Sequence, residues 1–290
     1  MLDALHRASG DKLPVAADNP GGEGFCGLGN KYYKLMPNLE QAKNSGFKTI
    51  LTFGGAWSNH IYATAMIGHI EGHQTVGIIR GERPKRLSAM LEDALCWGMH
   101  LEFVSRSEYR QKGALSLLQS LGDQYGEFYL LPEGGTNDVA VRGCARIVSD
   151  LNLYLQDYDL LVLPVGTGGT LAGVVMGLGG RARVLGISVL KGSEFLDDEV
   201  RDLLGSVGCA ERNWSISHEF HAGGYARCPA ELEAFILDFE ALFQVPLDPV
   251  YTGKMMFAID KLRRSGEISG NTKVVALHTG GLQGRRGFSF

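Results

Sequence analysis

The chain has 290 residues, 44% apolar and 21% charged, a balance that excludes bulk disorder. Its net charge of −4 and pI near 6.1 exclude a broad electrostatic grip on nucleic acid. Mean hydropathy is −0.03, and no apolar run approaches the ~20 residues of a membrane span, so no membrane partner is expected.

The first 30 residues say little: Asn19–Gly24 is turn-rich and carries no packing signal. Continuous apolar runs then predict strands over Thr49–Phe53, Thr75–Ile79, Leu101–Val104 and Phe128–Leu131. Helical periodicity falls between them over Arg86–Gly98, where Leu87, Met90, Leu91, Ala94 and Leu95 share one face, and over Leu115–Tyr125. After a seam at Pro132-Glu133-Gly134-Gly135 come a helix over Val139–Tyr154 and strands over Asp159–Pro164, Arg183–Val189 and Lys273–Leu277. Further helices are predicted over Ser193–Leu204, Ala230–Leu242 and Gly253–Ser265. Strand–helix alternation of this kind predicts two three-layer α/β domains with mainly parallel sheets.

Glycine is abundant, at 40 residues, about twice the usual share. The strongest local signal is the Leu160–Pro164 strand running into Gly166-Thr167-Gly168-Gly169-Thr170, which opens a helix. Backbone N–H groups and two hydroxyls at a helix N-terminus suit a phosphate monoester; a tight strand–helix turn is the alternative. It is neither a P-loop nor G-x-G-x-x-G. At Gly54–His60, Ser58-Asn59 is either a plain N-cap or a set of donors for a ligand carboxylate. His69/His73 and His218/His221 have metal-like spacing without forming H-E-x-x-H, so no metal is expected. The cysteines (Cys26, Cys96, Cys144, Cys209, Cys228) are odd in number and lack C-x-x-C. Met1–Pro14 has no apolar h-region. Reduced thiols in a cytoplasmic protein are the expectation.

In order, G-N-K-x-x-K-L (Gly29–Leu35), G-G-x-x-S-N-H (Gly54–His60), G-T-G-G-T (Gly166–Thr170), D-P-V-Y-T-G-K (Asp248–Lys254) and H-T-G-G (His278–Gly281) resemble one family. It is that of the 1-aminocyclopropane-1-carboxylate deaminases and D-cysteine desulfhydrases, pyridoxal-phosphate enzymes of the tryptophan-synthase-β-like fold (fold type II). The resemblance runs from about residue 27 to the C-terminus. It implies a large cofactor-binding domain of residues 1–35 plus 133–290, a small α/β domain of residues 36–132, and a homodimer.

By position, the resemblance implies pyridoxal 5′-phosphate bound through Lys31, the Schiff-base lysine, with Lys34 near the phosphate. Gly166, Thr167, Gly168, Gly169 and Thr170 would form the phosphate cup. Asn59 would lie near the ring hydroxyl, Ser58 near the substrate carboxylate and α-carbon, and Tyr251 and Tyr225 would be active-site tyrosines. Thr252 and Thr279 stand where the deaminase branch has Glu and Leu, and match the desulfhydrase branch. That implies a lyase catalysing β-elimination on a small amino acid, D-cysteine to pyruvate, sulfide and ammonia being the best single choice. The alternatives are a deaminase-like or other elimination or replacement enzyme, a catalytically silent cofactor-binding protein, or a nucleotide-binding module with no role for Lys31. Three features depart from the pattern: Ala16–Asn19 replaces an R-D-D-like stretch, Trp57 stands where Gln is frequent, and Leu282-Gln283-Gly284-Arg285-Arg286 replaces an A-P-A-L type. Arg285 or Arg286 could bind a second carboxylate or belong to a solvated tail.

Overall fold

The computed structural model describes residues 28–150 and 159–289. Asn19–Gly24, Ala16–Asn19, Cys26 and the expected end of the Val139–Tyr154 helix (151–154) lie outside the described residues.

The first sheet contains β1 (Thr49–Gly54), β2 (Gln74–Arg80), β3 (His100–Val104) and β4 (Tyr129–Leu131), all parallel, in the order β3-β2-β1-β4. Alternate residues of the central strand feed opposite faces. Ile50 packs with Leu35, Leu39 and Ala42 of α1 (Asn30–Asn44) and with Ala63 and Ile67 of α2 (Asn59–Glu71). Leu51 and Phe53 point the other way, toward Tyr109 of α4 (Arg106–Tyr109) and Leu121 of α5 (Leu115–Tyr125). Between β2 and β3, α3 (Ala89–Cys96) begins where Ser88 Oγ accepts from the Leu91 N–H, three residues inside the expected start.

Pro132 and a 3₁₀ turn at Glu133–Gly135 lead to the second sheet, β7-β6-β5-β8, again all parallel. Its strands are β5 (Leu160–Val165), β6 (Arg183–Ser188), β7 (Trp214–Ser217) and β8 (Val274–Ala276). One face is covered by α6 (Asp138–Asp150), α7 (Gly169–Leu178) and α8 (Phe195–Ser206), which pack on Leu161, Leu163 and Val165. The other carries α9 (Ala230–Phe243) and α10 (Thr252–Ser265) over Leu160, Val162 and Ile187. Truncating a fully buried side chain such as Leu163 to Ala should cost about 2–5 kcal/mol. Two three-layer α/β units with parallel sheets are what the alternation predicted.

Strand β7 is absent from the predicted set. It is an edge strand bonded only to β6, and Trp-Ser-Ile-Ser alternates, so it lacks the continuous apolar run of a strand buried on both faces.

Candidate active site

Parallel strands of both sheets end at one cavity of about 620 Å³. Its wall draws on the segments that follow β1, β4, β5 and β8, as expected for a ligand site at the carboxyl ends of parallel strands. Lys31, Lys34, Ser58, Asn59, Gly166, Thr167, Gly168, Thr170, Tyr225, Tyr251 and Thr279, all singled out in the sequence, line it.

Helix α1 brings Lys31 there because its start is clamped to the segment after β8. Gly29 has φ +53°, and a Cβ on it would lie 2.0 Å from the Thr279 carbonyl oxygen, so only glycine fits. The Asn30 N–H donates to that carbonyl at 3.2 Å, and the Asn30 side-chain amide donates to Thr170 Oγ1 at 2.7 Å. Burial, with the charge of Lys34, pushes the half-buried Lys31 amine down to about 7. Lys34, one turn on, is buried, and its Nζ donates to the Gly134 carbonyl at 3.1 Å and Thr136 Oγ1 at 2.9 Å. Burial lowers its pKa to about 8.

The Gly166–Thr170 loop sits at the N-terminus of α7, whose first N–H groups have no helical acceptor. Thr136 and Thr167 hydroxyls lie 2.7 Å apart across it. At Gly168, φ is +74° and a Cβ would strike Val200 Cγ2 at 2.7 Å; that glycine is required by backbone conformation and by packing on α8. Gly169 is not itself on the wall. A Cβ there would lie 3.1 Å from Lys34 Nζ and 2.8 Å from Thr136, so its bareness lets the lysine reach the loop.

On the opposite side, Ser58 caps α2, its Oγ accepting from the Ile61 N–H at 3.3 Å. Asn59 Oδ1 accepts from Gln283 Nε2 at 3.1 Å, which leaves the Asn59 NH₂ to act as a donor. The Trp57 and C-terminal departures belong together: the 3₁₀ helix Leu282–Gly287 packs where a Cβ on Gly287 would meet the Trp57 ring at 3.1 Å. Arg285 pairs with Glu240 and Arg286 with Asp93, and neither arginine lines the cavity.

Tyr251 and Tyr225 face each other edge-to-face, with centroids 6.1 Å apart at 77°. Burial raises the pKa of both phenols, so they stand as neutral O–H groups. Thr252, by contrast, is not brought to the cavity wall. It is fully buried, and its hydroxyl and N–H both donate to Asp248 Oδ1 at 2.9 Å. Asp248 also accepts from the N–H groups of Val250 and Tyr251, so this carboxylate fixes the turn that carries Tyr251.

Three residues were given no role from sequence. His60 is buried on the wall, and its Nε2–H donates at 2.7 Å to Thr52 Oγ1, which in turn donates to the Leu131 carbonyl. Burial, with Lys31 and Lys34 nearby, holds its pKa well below the usual value, so the ring is neutral. Thr136 and Asn30 complete the loop's bonding. Only their neighbours' glycines hinted at them. The second histidine pair does other work: His218 bridges Asp197 and Ser193 at 2.7 and 2.9 Å, and His221 Nδ1 accepts from the Gly223 N–H.

A near-neutral amine facing a phosphate-type cradle and two phenols suits chemistry at the α-carbon of an amino acid on an aldehyde cofactor. A family profile described as pyridoxal-phosphate-dependent enzyme matches residues 27–280. The chain belongs to the pyridoxal-phosphate-dependent enzymes. It is 30% identical over 285 residues to a bifunctional D-cysteine desulfhydrase/1-aminocyclopropane-1-carboxylate deaminase, mitochondrial, of Arabidopsis thaliana, covering 90% of this chain and 71% of that protein. It is 25% identical over 278 residues to a D-cysteine desulfhydrase of Yersinia enterocolitica, covering 87% and 82%. A crystal structure of a homologue of the deaminase superposes with a TM-score of 0.77 at 26% identity, covering 89% of this chain and 81% of that one. The enzyme is thus a pyridoxal-phosphate-dependent lyase of the deaminase/desulfhydrase type.

The residues fit the cofactor. The Gly166–Thr170 loop, bare on the side where Lys34 enters, offers N–H groups, hydroxyls and an ammonium to a phosphate, and Lys31 offers an amine with a lowered pKa. Among the described residues no group hydrogen-bonds to the Lys31 amine or forms an ion pair with it, which leaves that amine available for a carbonyl carbon.

Proposed function

We propose that the enzyme catalyses β-elimination on a small amino acid, with D-cysteine, giving pyruvate, sulfide and ammonia, as the reference substrate. The observation that carries this reading is the Lys31 amine, lowered to about 7 by burial and Lys34, at the wall of a cavity that also presents Tyr251, Ser58 and Thr279. When bound, pyridoxal phosphate supplies the electron sink for negative charge at the α-carbon. Lys31 would hold the cofactor through its amine and, as a free amine, would take the α-proton as a general base. Lys34 and the Gly166–Thr170 loop would hold the phosphate, and the Asn59 NH₂, oriented by Gln283, would be the donor for the ring hydroxyl.

Ser58 and the N-terminus of α2 bind the substrate carboxylate. The Tyr251–Tyr225 pair, with neutral hydroxyls, delivers a proton to the departing β-substituent. Thr279, on the cavity wall, would offer the cofactor ring a hydroxyl and not a carboxylate, as suits elimination of a good leaving group. Thr252 acts one step back, through Asp248 and the turn carrying Tyr251. The smaller domain, residues 36–132, contributes Ser58 and Asn59; the larger, residues 1–35 and 133–290, contributes the rest.

The test is a product assay on D-cysteine, L-cysteine and 1-aminocyclopropane-1-carboxylate. Sulfide and pyruvate in equal amounts from one cysteine enantiomer is the expected outcome. 2-Oxobutyrate from the cyclopropane at a comparable rate would overturn the elimination reading in favour of the deaminase.

A further inference from the structure

The rim of the cavity carries a cation that the chemistry above does not use. Arg80 ends β2, beside β1, and its side chain lies along the loop that leads to Ser58: a Cβ on Gly55 would come within 3.6 Å of Arg80 Nη2. Arg80 lies over the Tyr109 ring at 5.6 Å from its centroid. That ring is fixed in turn, because its hydroxyl donates to Glu133 Oε1 at 2.8 Å while Lys112 takes Glu133 Oε2 at 3.2 Å. Glu133 is therefore committed to two other partners.

Among the described residues no carboxylate pairs with Arg80 within 4.0 Å. Glu199, the other acid lining the cavity, stands on α8, which packs beside the Gly166–Thr170 loop. The cofactor phosphate has its own cradle on the second sheet, so Arg80 on the first sheet is not needed for it. Arg80 lines the same cavity as Ser58, Tyr225 and Tyr251. It thus overlooks the space between the α2 N-terminus and the tyrosine pair. Guanidinium stays charged at all working pH values and presents a planar fork matched to a carboxylate.

Resting on the elimination reading above, we propose that Arg80 selects substrates whose β-substituent bears a second anionic group, a carboxylate in the simplest case. In S-carboxymethylcysteine, for example, the α-proton passes to Lys31, and the Cβ–S bond breaks with its electron pair leaving on sulfur. The departing thiolate carries the carboxylate held by Arg80 and takes up a proton. The remaining 2-aminoacrylate takes up water and gives pyruvate and ammonia. No oxidant or reductant enters.

The experiment compares S-carboxymethylcysteine with its neutral isostere S-carbamoylmethylcysteine, each as D and L enantiomers, on the holoenzyme. Pyruvate release gives kcat/KM where a compound is turned over, and calorimetric titration gives Kd where it is not. A carboxylate preference of at least roughly tenfold is expected, the scale of one charge-assisted contact. In Arg80→Leu that ratio should fall to near one, and Arg80→Lys should retain part of it. A ratio near one in the unmodified enzyme would overturn the proposal. So would equal weakening of both ligands in Arg80→Leu, because Arg80 would then serve the α-carboxylate common to both. Absence of pyruvate from every compound, D-cysteine included, would count against the elimination reading alone; the Kd ratio would still decide the role of Arg80.

Discussion

Lys254 Nζ donates to the carbonyl oxygen of Gly224 at 2.7 Å. The lysine is fully buried in the first turn of α10, and Gly224, with φ +123°, immediately precedes Tyr225. One buried ammonium therefore ties the Tyr225 loop to the helix whose N-terminal turn carries Tyr251. Lys254→Met keeps the volume but leaves that carbonyl without its donor, which should cost about 1–3 kcal/mol of stability. Tyr225 should lose its fixed position, lowering kcat/KM for D-cysteine about tenfold while cofactor absorbance per protomer is retained. Parallel measurement of absorbance and steady-state kinetics checks this; unchanged kinetics would detach Tyr225 from the reaction.

Gln283 tests the pairing of the unusual C-terminal segment with Asn59. In Gln283→Met the Asn59 carbonyl loses its donor at 3.1 Å, and the amide is free to turn over. Cofactor affinity should weaken about three- to tenfold, with a shift of the visible band, while the melting temperature barely moves. Spectral titration of the cofactor-free protein reads both quantities.

The pH dependence of stability follows from three lysines. Lys31 is lowered to about 7, and Lys34 and Lys254 to about 8, all by burial first. Between those values and the ordinary 10.5 the unfolded chain binds protons that the folded one has released, so stability must rise with pH over that window. For cofactor-free protein each of these lysines contributes about 1.4 kcal/mol per pH unit at most between pH 8 and 10, so the rise should amount to several kcal/mol over that window. Above pH 10 the buried phenols of Tyr109 and Tyr251 hold protons that the unfolded chain loses, and the gain should reverse. Urea midpoints at half-unit steps of pH check it; a fall between pH 8 and 9.5 would contradict the burial of these amines.

Much of this was legible beforehand because its physics is local. Continuous apolar runs mark strands covered on both faces, and glycines before Lys31 and within Gly166–Thr170 mark backbone in close approach. What escaped depends on partners distant in sequence. The tautomer of His60 is set by Thr52 and the Leu131 carbonyl, 79 residues beyond that threonine, and its neutrality by burial beside Lys31 and Lys34. Arg80 reads as an ordinary surface arginine until the cavity is assembled around it. Thr252 matched a pattern that puts it at the cofactor ring, yet its hydroxyl is turned to Asp248, four residues back, a choice made by the turn that starts α10. The C-terminal segment reads from sequence as a carboxylate site or a solvated tail, and in three dimensions it packs against Trp57.

Thr252 gives a separable prediction. Thr252→Val keeps the shape and removes one donor to Asp248, which should cost about 1–2 kcal/mol. Thr252→Glu would bury a second carboxylate beside Asp248 and should cost several kcal/mol. Thermal melts of both variants measure this; a stable Thr252→Glu protein would mean the side chain finds the cavity after all.

The most direct test of the whole account is borohydride reduction of the holoenzyme followed by peptide mass mapping. The account predicts one adduct, on the peptide containing Lys31, and its loss together with β-elimination in a folded Lys31→Ala protein. An adduct on Lys34 or Lys254, or persistence of activity in Lys31→Ala, would contradict it.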